Sequence, residues 1–194
     1  IIHDYDALMI RSGTQVTGDI INSSKKLRII GRAGVGVDNV DVKAATQKGV
    51  LVVNSPGGNT IAAAEHTIAM MLALSRNIPI ANSSTFLGKW ERKKFVGNEL
   101  FKKKLGVVGL GKIGTHVAKV ANALGMDVFG YDPFVSLERA QQLQVKLSEL
   151  KTLFAESDYV TLHLPRTSET ENLVDMEVLK SMKNNAKLIN CARG

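Results

Sequence analysis

The stretch LGVVGLGKIGTHVAKVANALG, residues 105–125, limits what this chain can fold into more than any other. It opens with a short apolar run, passes through Gly109-Leu110-Gly111-Lys112-Ile113-Gly114, and continues with apolar residues at helical spacing. A G-x-G-x-x-G string alone is weak evidence; between a strand and a helix it has a mechanical reason. Gly109 allows a tight turn, Gly111 lets the backbone approach a pyrophosphate, and Gly114 lets the helix lie close on the strand. Unmet N–H groups and the positive dipole end make the helix N-terminus the place for that pyrophosphate. Lys112 and Ile113 lie on the same turn. Asp132 closes the next apolar run, DVFGYDP, 18 residues after Gly114. An acid there accepts hydrogen bonds from the adenosine ribose and repels a 2′-phosphate, which favours NAD over NADP. The bland alternative, a glycine turn plus a surface aspartate, needs strand, glycines, helix and acid to fall in this order by chance.

The rest of the chain keeps the same rhythm. DALMI, LRIIG and VLVVN are short apolar runs separated by the helix-compatible TGDIINSS and NVDVKAATQKG. This βαβαβ alternation predicts a parallel sheet covered by helices. NSPGGNT is a turn, with Asn59-Thr60 placed to begin a helix. The following IAAAEHTIAMMLALSRNI is apolar on more than one face, which predicts burial between domains or subunits. FLGKWERKKFVGNELFKKK is polar and reads as a connection over the surface. A second alternation then runs through LGVVGL, a helix from His116 to Leu124, DVFGYDP, further helices, YVTLHLP, a helix near Met176–Met182, and KLINCARG. The expected fold class is α/β.

Composition narrows the function classes. The 44% hydrophobic content is enough for a core, yet no apolar run approaches the roughly 20 residues of a membrane span. The opening IIHDYDALMI has no basic n-region or cleavage site, so it is not expected to be a signal peptide. A single cysteine, Cys191, rules out an internal disulfide and suits a reducing, cytoplasmic compartment. His3, His66, His116 and His163 are scattered without ligand spacing, and no metal site is expected. The net charge of +7 concentrates in KWERKK and FKKK. No nucleic-acid motif or aromatic platform accompanies it, so no nucleic-acid partner is expected. Most of these lysines read as a solvated face, and Arg92 as part of a field that draws small anions.

Seven motifs, GRAGVGVDNVD (31–41), NSPGGNT (54–60), GKWERKKF (88–95), GLGKIG (109–114), YDP (131–133), HLP (163–165) and NCARG (190–194), carry a resemblance that covers essentially the whole chain. On them the sequence resembles the D-isomer-specific 2-hydroxyacid dehydrogenase family. GRAGVGVDNVD and WERKKF are closer to its branch acting on 3-phospho-D-glycerate than to relatives acting on lactate, formate or glyoxylate. The resemblance implies two Rossmann-like, doubly wound parallel-sheet domains, both incomplete. Residues 1–56 would be part of a substrate-binding domain, 57–98 an interdomain helix with a connecting and dimerisation loop, and 99–194 part of an NAD-binding domain. It further implies NAD as cofactor, a homo-oligomer, and a truncation that leaves the family's catalytic glutamate and histidine beyond Arg193.

The resemblance also assigns roles. Arg193 would be catalytic, holding the substrate carboxylate through its planar fork and polarising the reacting oxygen. Gly34, Val35 and Gly36 would cradle the carboxylate with bare N–H groups, Val35 also facing the cofactor. Arg11, Arg32 and Arg92 are candidates for the substrate phosphate, each with solvated charge as the alternative. Asn59 would orient substrate or cap a helix. Leu164 and Pro165 would line the adenine or ribose side, and Cys191, Ala192 and Arg193 the nicotinamide side. Cys191 is read as a packed small residue, since nothing is placed to activate it. His163 is read as structural and not as the base, His66 as a packing or interface residue. The function expected is NAD-dependent oxidation of 3-phospho-D-glycerate in serine synthesis. The alternatives are a glyoxylate or hydroxypyruvate reductase and an NAD-sensing corepressor of the same fold.

Overall fold

The structure, a computed structural model, describes residues 2–192. Arg193 and Gly194 lie outside the described residues. The chain divides into two units, Ile1–Asn59 and Thr60–Gly194.

The first unit is a three-stranded sheet of β1 (Ala7–Ile10), β2 (Ile29–Arg32) and β3 (Leu51–Asn54), parallel throughout and in the order β1-β2-β3. Two helices make the crossovers, α1 (Gly18–Ser23) and α2 (Val42–Lys48). Their starts follow from capping: the Thr17 side chain accepts from the Ile20 N–H and Asp41 from the Ala44 N–H. Gly49 ends α2 in the left-handed region at φ 73°, where a residue with a Cβ is disfavoured. The core of this unit comprises Ile10, Val16, Ile21, Leu27, Ile30, Val40 and Val50, with Ala44 and Ala45. Alternation decides which strand residues enter it: Ile10 and Ile30 are buried while Met9 and Leu51 are exposed.

The second unit begins with α3 (Thr60–Ser75) and α4 (Ile78–Phe86) and holds a five-stranded sheet. Its strands are β4 (Lys104–Val108), β5 (Asp127–Tyr131), β6 (Lys146–Leu147), β7 (Tyr159–Leu162) and β8 (Lys187–Asn190). All pairings are parallel, in the order β6-β5-β4-β7-β8. The helices are α5 (Lys112–Ala123), α6 (Leu137–Gln142), α7 (Leu150–Glu156) and α8 (Met176–Ser181). Ala64, Ile68 and Met71 of α3 and Val117, Ala118 and Ala121 of α5 join Leu105, Val107 and Val128 in one core. A second cluster joins Val108 and Val160 to Leu153 and Phe154 of α7, with Val178 of α8 against it. The chain leaves β4 for β5 on one side and returns to β7 on the other. Loops after β4 and β7 therefore diverge, which opens the crevice that parallel sheets use for ligands.

One local expectation is corrected. The stretch ending SRNI is not one helix: α3 stops at Ser75, and Asn77, at φ 54°, turns the chain into α4 with a proline in its first turn. The second helix, Ile78–Phe86, has too weak an apolar periodicity to be read from sequence. From Leu87 to Lys103 the chain is otherwise irregular, with only a short 3-10 turn at Arg92–Phe95.

Candidate functional site

In the second unit the glycine turn follows β4 directly. Gly109 has φ 92°, in the region that favours glycine, and its N–H donates to the Tyr131 carbonyl at 2.8 Å. A Cβ on Gly109 would lie 2.8 Å from the His163 carbonyl oxygen, and one on Gly114 only 1.9 Å from that of Gly109. Turn, strand β7 and helix α5 thus approach as closely as bare backbone allows. Gly111 is different. It caps α5 with no side-chain hydrogen bond, is exposed, and a Cβ there would meet nothing within 4 Å. Open space beside uncapped first-turn N–H groups fits an anionic group of a dinucleotide. Lys112 and Ile113 begin the helix at this turn.

Asp132 follows β5 and braces the turn. Its Oδ2 accepts from the Leu110 N–H at 2.8 Å and its Oδ1 from the Phe134 N–H at 2.9 Å. Each oxygen keeps a lone pair, so the carboxylate can still accept from a diol. Thr115 Oγ1 donates to the Leu110 carbonyl at 2.8 Å and holds the same loop from the helix side.

At the ends of β7 and β8, Leu164, Pro165 and Ala192 line one small cavity of about 40 Å³, together with Arg166, Thr170 and Asn190. The last three were not singled out in the sequence; only Asn190, inside NCARG, carried a signal. Asn190 Oδ1 accepts from the Ala192 N–H at 3.0 Å, which shapes the turn leading toward Arg193. Cys191 is half-buried beside this turn and packs against the α3–α5 core. His163 follows β7, and its Nε2 lies 3.0 Å from Thr161 Oγ1, a fully buried hydroxyl. Burial lowers its pKa to about 4, so the ring is neutral near pH 7. His66 is exposed on α3. Arg92 is exposed on the 3-10 turn of this unit.

In the first unit, Arg11 and Arg32 stand at the carboxyl ends of β1 and β2. Ile10 and Arg32 are register partners, and Ala33 N–H donates to the Ile10 carbonyl at 2.9 Å. Arg32 is 7% exposed and its Nε has no hydrogen-bond partner. Its guanidinium lies across Gly34, where a Cβ would come within 1.8 Å of a terminal nitrogen. That contact, with φ 155°, is why position 34 is glycine. Asn54 Nδ2 donates to the Val35 carbonyl, and Ser55 N–H to that of Gly34, which pin the 34–36 loop to the end of β3. Gly36 is half-buried in that loop, and Asn59 is exposed just before α3. Asn39, which drew no attention in the sequence, is buried and donates to the carbonyls of Arg11 and Thr14 at 2.9 and 2.6 Å. It fixes the loop that carries Arg11.

No group of His, Cys, Asp and Glu suited to a metal ion occurs among the described residues. Among them too, no helix is long and apolar enough to cross a membrane.

Residues 68–194 match the family described as D-isomer specific 2-hydroxyacid dehydrogenase, NAD binding domain. The chain belongs to the D-isomer-specific 2-hydroxyacid dehydrogenases. Within that family it is 60% identical over 194 residues to D-3-phosphoglycerate dehydrogenase of Synechocystis sp., covering 100% of this chain and 35% of that protein. To the protein of the same name from Archaeoglobus fulgidus it is 55% identical over 190 residues, covering 98% of this chain and 36% of that one. The chain therefore spans about a third of the length of these relatives. D-lactate dehydrogenase from Aquifex aeolicus, solved with NAD and lactic acid, superposes with a TM-score of 0.90 at 31% identity, over 100% of this chain and 58% of that one. The α/β architecture is thus that of the family's dehydrogenases, and residues 68–194 of the second unit match its NAD-binding domain.

Proposed function

We propose that this chain is part of an NAD-dependent dehydrogenase that oxidises 3-phospho-D-glycerate to 3-phosphohydroxypyruvate. The observation that carries the reading is the 60% identity over all 194 residues to a protein named for that activity, against 31% to the lactate enzyme. The two arginines at one rim of the first unit add support, because a phosphorylated acid brings two anionic groups to be met.

When bound, the nicotinamide supplies the hydride acceptor. The residues of this chain have other tasks. Gly109, Gly111, Lys112, Ile113 and Gly114 hold the pyrophosphate at the start of α5, and Asp132 accepts from the adenosine ribose. Leu164 and Pro165 bound the adenine or ribose side, and Cys191 and Ala192 the nicotinamide side. Gly34, Val35 and Gly36 receive the substrate carboxylate on backbone N–H groups. Arg193 grips that carboxylate and draws charge from the reacting oxygen. Arg11, Arg32 and Arg92 serve the phosphate, and Asn59 helps orient the substrate. Arg32 suits this well, since a guanidinium with an unpartnered nitrogen gains most from an arriving anion. His163 stays neutral and takes no part in proton removal.

We extend the reading to assembly: a homo-oligomer with the exposed apolar residues of α3 and α4 across subunits.

The test is a full-length protein carrying this chain. NADH should form from 3-phospho-D-glycerate and NAD far faster than from D-lactate or unphosphorylated D-glycerate. Turnover of glyoxylate or hydroxypyruvate with none of the phosphorylated acid would transfer the chain to the reductases. Binding of NAD with no turnover of any 2-hydroxy acid would leave the sensor.

A further inference from the structure

A cavity of about 530 Å³ lies away from the glycine turn. It lies at the opposite end of the second unit's sheet, where Tyr159 opens β7, Lys187 opens β8, and Lys103 precedes β4. Five residues of β4, about 17 Å of strand, separate it from Gly109. Its volume falls within the range of about 300–1,000 Å³ typical of small-molecule sites.

Three ammonium groups, Lys103, Lys183 and Lys187, face one carboxylate, Asp158. Lysines at this end of an α/β sheet often serve only the carbonyl ends of helices. Some here have partners of their own. Lys183 pairs with Asp158 at 2.8 Å, and Lys104, next door, pairs with Glu156 at 2.8 Å. Burial raises the Asp158 carboxyl, but the Lys183 hydrogen bond, the Lys104 N–H and nearby ammoniums outweigh it, so it remains ionised. That leaves Lys187, whose ammonium donates to the Asn185 carbonyl at 3.0 Å and lies 5.3 Å from the centroid of the Tyr159 ring, and Lys103, whose ammonium makes no hydrogen bond or salt bridge to the described residues and acts on Asp158 through its charge alone. The Asn184 and Asn185 side chains add amide donors at the rim. Donors outnumber acceptors around a space large enough for a ligand. The back wall is held by the buried Tyr159 hydroxyl, 2.8 Å from Ser75 Oγ at the end of α3.

We infer that this cavity is a second binding site, separate from the dinucleotide turn, for a small polyanion of the pyrophosphate or tricarboxylate kind. The inference does not depend on which 2-hydroxy acid the protein oxidises.

The test uses the isotopically labelled 194-residue chain, with pyrophosphate and citrate as probes and amide chemical shifts as the readout. Either probe should shift residues 103, 159 and 184–187 saturably. Citrate should do so without moving 109–114. Binding of pyrophosphate alone would specify a phosphate ligand; binding of both, charge and size. The double variant Lys103→Gln/Lys187→Gln should weaken the effect about tenfold or more. Asn184→Asp, which adds a negative charge to an exposed position and disturbs no packing, should weaken it as well. Shifts confined to the glycine turn, shifts that survive both variants, or no saturable shifts at all would overturn the proposal.

Discussion

Asp132 was read as a ribose acceptor, and the structure gives it a second task. It accepts from two backbone N–H groups, one on the glycine turn and one after its own strand. Asp132→Ala should therefore lower stability by about 1–2 kcal/mol, because both donors lose an acceptor. It should also weaken NAD binding and narrow the preference for NAD over NADP. Chemical denaturation and calorimetric titration of both dinucleotides check the two effects, and an unchanged preference would remove the ribose role while keeping the brace. His163 makes a different kind of statement. With a folded pKa near 4 against 6.5 unfolded, it stays neutral while the unfolded chain takes up a proton. Its contribution is intact above pH 6.5 and is lost as pH falls toward 4, a difference of roughly 3 kcal/mol. Replacing His163 by Asn should flatten the stability–pH curve in that window; an imidazole that titrates near 6.5 by NMR would show the ring is not shielded.

At the level of strand, turn and helix, the glycines of the fingerprint divide by mechanism. Gly114→Ala places a methyl group against a backbone carbonyl that cannot rotate away, 1.9 Å from the unrelaxed position. Helix α5 must then move off β4, at a cost of about 1–3 kcal/mol. Gly111→Ala meets open space at an ordinary φ of −66°, so the fold should keep its stability. Dinucleotide affinity should nevertheless fall, because the methyl group occupies the volume the pyrophosphate needs. Paired melting and binding measurements distinguish the two: stability lost at 114, affinity lost at 111. Equal losses of stability at both positions would contradict the division.

For the molecule as a whole, the unresolved energetic matter is an apolar surface. Helix α3 buries Ala64, Ile68 and Met71 in its own unit while Ile61 remains half exposed. Beyond it Ile80, Phe86 and Trp90 are exposed, Phe86 at 90% and Trp90 at 79%. Exposed apolar side chains of this size favour association, and the oligomer proposed above should be in equilibrium with its subunits. Ile80→Lys with Phe86→Lys should shift sedimentation toward the monomer at concentrations where the unmodified protein associates. If the unmodified protein is monomeric at tens of micromolar, these residues form no self-interface.

Apart from α4 and the two-residue β6, the order of strands and helices, the parallel sheets and the dinucleotide turn were legible in the residues, because each rests on local chemistry. Gly109, Gly111 and Gly114 are spaced by the geometry of one turn, and the short apolar runs by that of a covered strand. Family membership was legible for the same reason, through short contiguous motifs. What needed the tertiary structure was every relation between residues far apart in the chain. Asn39 holds the Arg11 loop across 28 residues, and Asp132 holds Leu110 across 22. Arg32 is buried over Gly34 only because β2 lies inside its sheet. Lys103, Asp158 and Lys187 share a cavity because β4, β7 and β8 are neighbours, although the chain orders them β4, β5, β6, β7, β8. A spacing in sequence can specify a turn; only the register of packed strands decides which distant charges face one another.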